Sequence, residues 1–228
     1  MQPNRPLGWD LERGRDGSMV EAKKTAPSAR RHEIVEIATG LFLENGFAAT
    51  SMATVAEAAG LTKASLYHHF PGKEELFAAC VTHGYAAELE RLRDIASGDA
   101  SDAPEKMQAA INALYETIIS SQVGRMSPLI AEVSRSFPTV ARSFHDDYIG
   151  PQHEILCKMI DEGVASGQFA DVDRKVFLHL VFGPIVTLSL SREMFATFQD
   201  LEEHFPVAHL RDGHVEMLMQ ALAKPLAV

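Results

Sequence analysis

The sequence predicts an all-α protein, in which a three-helix helix-turn-helix domain near the N-terminus precedes a larger helical domain. Apolar residues recur at helical spacing along most of the chain, and no alternating strand pattern of any length appears. Two short helical stretches are joined by a turn that contains Gly60, which is the layout of a helix-turn-helix. Gly and Pro residues separate the remaining helical stretches.

The composition is that of a soluble globular protein, and the charge is unevenly distributed. The chain has 228 residues, a formal net charge of -10, 46% apolar residues and 23% charged residues. Met1 to Leu76 holds 9 Lys or Arg and 10 Asp or Glu, which leaves 12 basic and 21 acidic residues for the remainder. The acidity therefore lies in the C-terminal two-thirds, and the N-terminal part can present a basic face.

Nothing in the sequence predicts export or a membrane span. The N-terminus lacks the apolar core of a secretory signal. The longest apolar tract, Phe177 to Leu190, is too short to cross a bilayer and contains a His and a Pro. Cys80 and Cys157 suggest no disulfide framework. We therefore expect a cytoplasmic protein that does not contact a membrane.

The first helix follows an arm. Residues 1–27 are rich in Gly, Pro and charged side chains and lack periodicity, which predicts a disordered arm. The helix is expected to begin near Ser28, and Gly46 suits the left-handed position just past its end. The apolar residues of this helix recur at helical spacing: Ile34, Ile37, Ala38, Leu41 and Phe42.

Two short helices and a long one follow. Ser51 is a plausible N-cap of the second helix, whose Val55, Ala56 and Ala59 face inward. Gly60 ends it, and Thr62 caps a third helix that runs to about His69. After Pro71 and Gly72, Lys73 begins a long helix. The predicted helix-turn-helix domain thus spans residues 28–74, and the larger helical domain spans residues 75–228.

The larger domain is predicted to contain five further helical segments. A loop follows residue 97, and Gly167 and Pro138 are the main breaks after it. Pro184 lies inside the penultimate segment and is expected to kink it. The segments are about Pro104 to Ser121, Ser127 to Arg135, Thr139 to Ser166, Asp171 to Phe195 and Asp212 to Ala223.

One stretch of about 45 residues carries a specific resemblance. The run "ATGLFLENGFAATSMATVAEAAGLTKASLYHHFPGKEELFAAC" resembles the DNA-binding region of TetR-type transcriptional regulators. The match includes Gly46-Phe47, the Ala-Ala-Gly turn, the Leu-Tyr-x-x-Phe run and Lys73-Glu74. The C-terminal part is similar to the family only in its layout of helices. This resemblance implies a DNA-binding regulator, most often a repressor, that is not an enzyme and needs no cofactor.

The third helix is the expected DNA-reading element. Leu66 and Phe70 are four residues apart and face the core, which leaves Tyr67 and His68 on other faces together with the residues at its N-terminal end. Small residues there let the backbone approach base edges in the major groove. Lys63, Ala64 and Ser65 fit this requirement, with Lys63 favouring guanine.

Phosphate contacts are expected around the same helix. The family resemblance implies that Tyr67, His69 and Lys73 contact phosphates. We expect hydroxyl or backbone contacts to be added by Thr50, Ser51 and Thr62. Two cations at the start of the first helix, Arg30 and Arg31, are either further phosphate contacts or surface charges. Ala53 offers only a methyl group, so specificity rests on Lys63 and on DNA shape.

The larger domain is expected to form a homodimer and to bind a small apolar or amphipathic effector. The family resemblance implies that the last two long helices pair across a two-fold axis, through Phe177, Leu180, Val181, Val186 and Leu190 in one and Val215, Leu218, Met219 and Leu222 in the other. Binding of the dimer to a palindromic operator follows. The effector pocket is expected among adaptable apolar residues: Met107, Tyr115, Met126, Phe137, Phe144, Tyr148 and Met159.

Other functions remain as alternatives. We find no paired carboxylates in a cleft, no Ser or Cys beside a His and no Gly-rich phosphate loop at recognisable spacing, which argues against an enzyme. His145, Asp147 and His153 permit a metal-responsive regulator of the same fold, although neighbouring helical residues do not share a face. A transcriptional activator and a helical bundle that only binds proteins are the further alternatives.

Overall fold

The protein is helical throughout the part that the structure describes. The computed structural model describes residues 18–98, 102–122 and 124–224, with side chains from residue 29 onward. All regular elements in these ranges are helices, which confirms the predicted all-α fold. The α-helices are α1 (Ser18–Ala49), α2 (Met52–Ala58), α3 (Lys63–His69), α4 (Lys73–Ser97), α5 (Ala103–Tyr115), α6 (Ser127–Ser136), α7 (Pro138–Phe144), α8 (Gly150–Ala165), α9 (Arg174–Met194), α10 (Leu201–His204) and α11 (Val207–Leu222), and a short 3-10 helix spans Gly124–Met126.

The largest difference from the predicted elements is the start of α1. This helix begins at Ser18, ten residues before the predicted start at Ser28. Residues 21–24 are Glu, Ala, Lys and Lys, which favour helix even though their charges suggested an arm. The predicted disorder of residues 1–17 lies outside the described residues. At the other end, Gly46 has a φ of 77°, as expected. This non-helical residue kinks α1, so the last three residues of α1 lie beyond the kink.

Two π-helical turns interrupt the predicted segments. Glu116–Ser120 extends α5, and His145–Ile149 joins α7 to α8, so that the segment predicted as one helix from Thr139 to Ser166 is two helices joined by a wider turn. The short helix α10 was not predicted, and α11 begins five residues before the expected Asp212. Four-residue helices have no periodicity that a sequence pattern can reveal.

The apolar side chains form two core clusters that share α4. The first cluster surrounds α1 to α3 and includes the α4 residues from Leu76 to Leu89. It continues into α6 and α7 through Ile130 and Val140. The second cluster joins α5, α8, α9 and α11, and α4 contributes Leu92 to it. Because α4 belongs to both clusters, packing is continuous across the predicted domain boundary at residue 74.

Helix α9 buries one face and exposes an apolar stripe on the other. Phe177, Val181 and Ile185 are in the second core cluster. Leu180 is 51% exposed, and other apolar residues on the opposite side are also exposed: Val176, Val186, Leu190 and Met194. Among the described helices, α9 is the one whose length and composition would allow it to cross a membrane, with 28% of that window buried. Exposed apolar faces of this kind are typical of interaction surfaces.

Pro184 leaves a backbone acceptor in α9 that a side chain of α11 satisfies. Pro has no N–H, so the Leu180 carbonyl lacks its intrahelical donor. The His214 Nε2 lies 2.9 Å from this carbonyl oxygen, and its Nδ1 lies 2.9 Å from the Tyr115 hydroxyl. Since a carbonyl only accepts, Nε2 carries the hydrogen and Nδ1 accepts from Tyr115. Burial lowers the pKa of His214, which favours this neutral ring. Helix α9 therefore continues past the proline, and the hydrogen bonds of His214 to Tyr115 and Leu180 connect α11 to α5 and α9.

We expect His214→Ala to lower the free energy of unfolding by about 1–3 kcal/mol, because it leaves buried polar groups without partners. In a Pro184→Ala background the N–H of residue 184 can bond to the Leu180 carbonyl, so the same substitution should cost about 1 kcal/mol less. Urea denaturation of the four proteins measures this coupling. An equal cost in both backgrounds would contradict the assigned role of His214.

Candidate nucleic-acid interface

Capping side chains set the ends of the two short helices. The Ser51 Oγ accepts a hydrogen bond from the Thr54 N–H at 3.1 Å, and the Thr62 Oγ1 accepts one from the Ser65 N–H at 3.1 Å. Both predicted N-caps are therefore confirmed. Between the helices, Gly60 has a φ of 63°, which a side chain would disfavour. The turn and the caps together fix the direction in which α3 leaves α2.

Helix α3 is anchored on one side and exposed on the other. Leu66 and Phe70 are fully buried in the first core cluster. The opposite flank is polar: Tyr67 is 46% exposed, and Lys63, Ala64 and His68 are also exposed, whereas Ser65 and His69 are half-buried. The structure thus brings six of the predicted DNA-contact residues onto one short helix. Ser51 and Thr62 are exposed at the helix starts.

The hydroxyl of Thr50 is directed into the protein, which differs from the expectation that it contacts phosphate, whereas the half-buried Lys73 makes contacts within the domain through part of its ammonium. Thr50 is 1% exposed, and its hydroxyl donates to the carbonyls of Leu41 and Gly46. The Lys73 Nζ donates to the Phe47 carbonyl at 2.7 Å and lies 4.2 Å from the centre of the Phe47 ring. Both side chains satisfy carbonyls near the end of α1, where backbone acceptors lack intrahelical donors.

Arg30 and Arg31 also make contacts inside the domain. The Arg30 Nη2 donates to the Ala59 carbonyl at 2.7 Å, and the same side chain pairs with Glu33. The Arg31 guanidinium carbon lies 4.1 Å from the centre of the Phe70 ring. The sequence pattern gave no sign of these contacts, because their partners are 29 and 39 residues further along the chain.

The residues expected to line one effector pocket lie in two places. Met126 and Tyr148 belong to the first core cluster, with Phe137 and Phe144 packed against it. Met107, Tyr115 and Met159 belong to the second core cluster. They share apolar character, but tertiary packing separates them, so a single pocket lined by all seven is not formed.

The histidines and acids of the α7–α8 region do not assemble a metal site. His145 Nδ1 lies 2.8 Å from Asp146, and Asp147 accepts a hydrogen bond from Thr82. His153 instead stacks near Phe182. In the residues that the structure describes, no group of three or more His, Cys, Asp or Glu could hold a metal ion. The metal-responsive alternative gains no support from this geometry.

Comparison with known proteins places this interface in a family. Residues 34–80 match the model of "Bacterial regulatory proteins, tetR family". The chain is 31% identical over 149 residues to the HTH-type transcriptional repressor KstR2 of Rhodococcus jostii, covering 64% of this chain and 71% of that protein. KstR2 of Mycobacterium tuberculosis H37Rv is 29% identical over 149 residues, covering 64% and 74%. The chain belongs to the TetR family.

Solved TetR-family structures share the fold over most of the chain. A regulator from Mesorhizobium loti aligns with a TM-score of 0.73 at 20% identity, covering 87% of this chain and 99% of that one. FadR of Bacillus subtilis, in complex with stearoyl-CoA, aligns with a TM-score of 0.69 at 20% identity, covering 84% and 98%. This TetR-family protein is therefore a DNA-binding transcription regulator and not an enzyme, with a larger helical domain behind its helix-turn-helix.

Proposed function

We propose that this TetR-family protein is a cytoplasmic repressor, which binds a palindromic operator as a homodimer and leaves it when a small molecule binds. The observation that carries the proposal is α3, whose apolar side is fully buried while its polar flank is exposed. An exposed polar helix on a rigid core is what a recognition helix requires. Residues 28–74 would provide DNA binding, and residues 75–228 effector binding and dimerisation.

The proposed DNA contacts divide into base readout and phosphate positioning. Lys63 is a long donor at the N-terminal end of α3, where the small Ala64 and Ser65 permit close approach to base edges. Tyr67, His68 and His69 follow on the same helix and are assigned to phosphates. Ser51 and Thr62 begin α2 and α3, so hydroxyl or backbone contacts to phosphate are added there. Thr50 is left out of this set because its hydroxyl is buried inside the protein. Lys73 stays among the proposed phosphate contacts, because its ammonium has further N–H donors besides the one given to the Phe47 carbonyl.

The proposed dimer uses the exposed apolar stripe of α9. Four of the nine residues predicted for the interface are instead monomer core, because Phe177, Val181, Leu218 and Leu222 are buried. Leu180, Val186 and Leu190 remain exposed, and Met217 of α11 is 64% exposed. Pairing of these surfaces would remove them from water and would place two copies of α3 on one duplex, at a half-site separation of about 34–36 Å.

The proposed effector site is the apolar cavity beside α9. Ile118, Pro128 and Leu190 are among the residues that line a cavity of about 140 Å³ between the π-helical turn after α5, α6 and α9. Ligand pockets usually measure roughly 300–1,000 Å³, so the cavity must widen to admit a ligand. An apolar or amphipathic effector fits this lining, and the stearoyl-CoA complex of the FadR neighbour supports such a class.

Helix α4 is the proposed connection between effector and operator. It packs in both core clusters, with Phe77 in the first and Leu92 in the second. A change around α5, α6 and α9 would shift α4 and thereby the spacing of the two α3 helices. An effector that prefers the unsuitable spacing lowers operator affinity by its differential binding energy, about 1–3 kcal/mol.

We expect Tyr67→Phe and Lys63→Ala to weaken DNA binding in different ways. Tyr67→Phe removes a phosphate donor and should lower affinity for all duplexes by a similar factor. Lys63→Ala removes a base contact, and it should cost about 1–3 kcal/mol on the preferred sequence while relaxing base preference at one position. Selection of bound duplexes from a random pool, followed by affinity measurement, checks both. An unchanged preferred sequence for Lys63→Ala would refute its role in base readout.

We expect Leu180→Glu to dissociate the dimer, because a carboxylate would be buried against an apolar surface without a partner. Sedimentation velocity should show a monomer, and operator affinity should fall at least about tenfold, which corresponds to about 1.4 kcal/mol. Ala87→Glu is the matched control, since it adds one carboxylate at an exposed position of α4. A Leu180→Glu protein that sediments as the wild type does would exclude this face as the interface.

We expect Ala131→Phe to block effector release by filling the cavity beside α9. Operator affinity without effector should stay within about twofold of the wild type, while an acyl-CoA series that releases the wild type should no longer act. Ala131→Ser is the control because it leaves the cavity open. Fluorescence anisotropy on the selected operator gives both readouts, and full release of Ala131→Phe would place the effector elsewhere.

A further inference from the structure

Polar side chains are buried where α4 meets the π-helical turn between α7 and α8. Tyr148 of that turn is 3% exposed, and Gln152 in the first turn of α8 is 1% exposed. The Gln152 Nε2 donates to the Tyr148 hydroxyl at 2.6 Å, so the hydrogen of this hydroxyl is left for another acceptor. The ring of Tyr148 packs on that of Tyr85 from α4, with the ring centres 4.0 Å apart. A buried hydroxyl in this position calls for an acceptor close by.

Glu88 adds a carboxylate without a partner to this region. Its Oε2 is buried, and no hydrogen bond from a described residue reaches it. Ser134 Oγ has the same property, but a hydroxyl can rotate onto a carbonyl of its own helix, whereas a carboxylate only accepts. Burial is the largest cause that raises the pKa of Tyr148, and the charges of Tyr85 and Glu88 act in the same direction. The unpaired carboxylate therefore lies close enough to the buried hydroxyl to act on it.

These polar groups adjoin the apolar cavity beside α9. The cavity has an uncharged lining, in which the hydroxyls of Ser127 and Ser189 are the polar groups. The Ser127 Oγ lies 3.4 Å from the hydroxyl oxygen of Tyr85, so enlargement of the cavity past Ser127 leads toward Tyr85 and Tyr148. Both π-helical turns contribute to this region, Ile118 to the cavity and Tyr148 to the polar groups, and such turns are frequent at functional sites.

We propose that Glu88 and Tyr148 bind the polar end of the effector, and that this end is a hydroxyl or an amino group. The inference rests on the proposed function, in that the effector is taken to occupy the cavity beside α9. A hydroxyl can donate to the Glu88 carboxylate and accept from Tyr148, whose orientation Gln152 fixes. An amino group gives Glu88 a partner of opposite charge, whereas a carboxylate at this end would be repelled.

The test measures the binding of four octyl compounds to the full-length protein without DNA, by isothermal titration calorimetry. Octanol and octylamine carry a hydrogen-bond donor, octyl methyl ether carries none, and octanoate carries a negative charge. The first two should bind at least about tenfold more tightly than the last two, because a site built around an acceptor rejects ligands that leave it unpaired. Equal affinities for the four compounds, or no binding of octanol and octylamine at millimolar concentration, would overturn the proposal.

Substitution of the two binding residues should change this preference. Glu88→Gln removes the charge and keeps the shape, so it should bind octylamine about tenfold more weakly than the wild type does and octanoate more tightly. Tyr148→Phe should weaken octanol binding several-fold, because the ring stays and the hydroxyl is lost. Glu154→Gln is the matched control, since it makes the same chemical change at an exposed position of α8 and should bind as the wild type does. An unchanged preference in Glu88→Gln would refute the role of Glu88.

Thermal unfolding without any ligand gives a second readout. Glu88→Leu removes a buried acceptor that has no partner, so its melting temperature should exceed that of the wild type by about 2–4 °C. A lower melting temperature would show that Glu88 stabilises the protein and would contradict its role in binding. Operator release is measured separately, so the two proposals can fail independently. A compound that binds with the expected preference but leaves operator affinity unchanged supports this inference and contradicts the proposed release.

Discussion

The burial of Leu66 and Phe70 is the constraint on which the interface depends. Helix α3 has seven residues and is too short to be stable in water by itself. Its conformation is maintained because these two side chains are fully buried in the first core cluster and because Thr62 caps its start. Tyr67 and His68 fall on the opposite side as a consequence of helical geometry. The same contacts that stabilise α3 therefore determine which of its residues are exposed.

The location of the cations follows from the same constraint. A helix-turn-helix places three helix ends within a small volume, and each end exposes carbonyls that need donors. Arg30, Thr50 and Lys73 supply donors to these carbonyls. Several polar side chains of the domain are thus used for contacts within it. On α3, Lys63, Tyr67 and His68 remain exposed.

The two core clusters make the larger domain and the helix-turn-helix mechanically continuous. Because α4 contributes to both clusters, a displacement of α5, α8 or α9 cannot be absorbed by a flexible linker at residue 74. Helix α9 has two different faces in this arrangement. One face packs in the core of the monomer, and the other leaves Leu180, Val186 and Leu190 exposed. The bond from His214 keeps α9 intact at Pro184, so both faces belong to one rigid element.

The sequence by itself determined the elements whose signals are local. The caps at Ser51 and Thr62, the positive φ of Gly46 and the buried side of α3 all depend on residues within one or two helical turns. Only the tertiary structure decided which carbonyls Thr50 and Lys73 contact, which of the predicted α9 and α11 residues are core, and how Pro184 is accommodated. Each of these outcomes depends on a partner from another helix, such as the Phe47 carbonyl 26 residues from Lys73 or His214 opposite Leu180. Helical periodicity reports which residues are apolar and which share a face, but it holds no information about the distance between two helices.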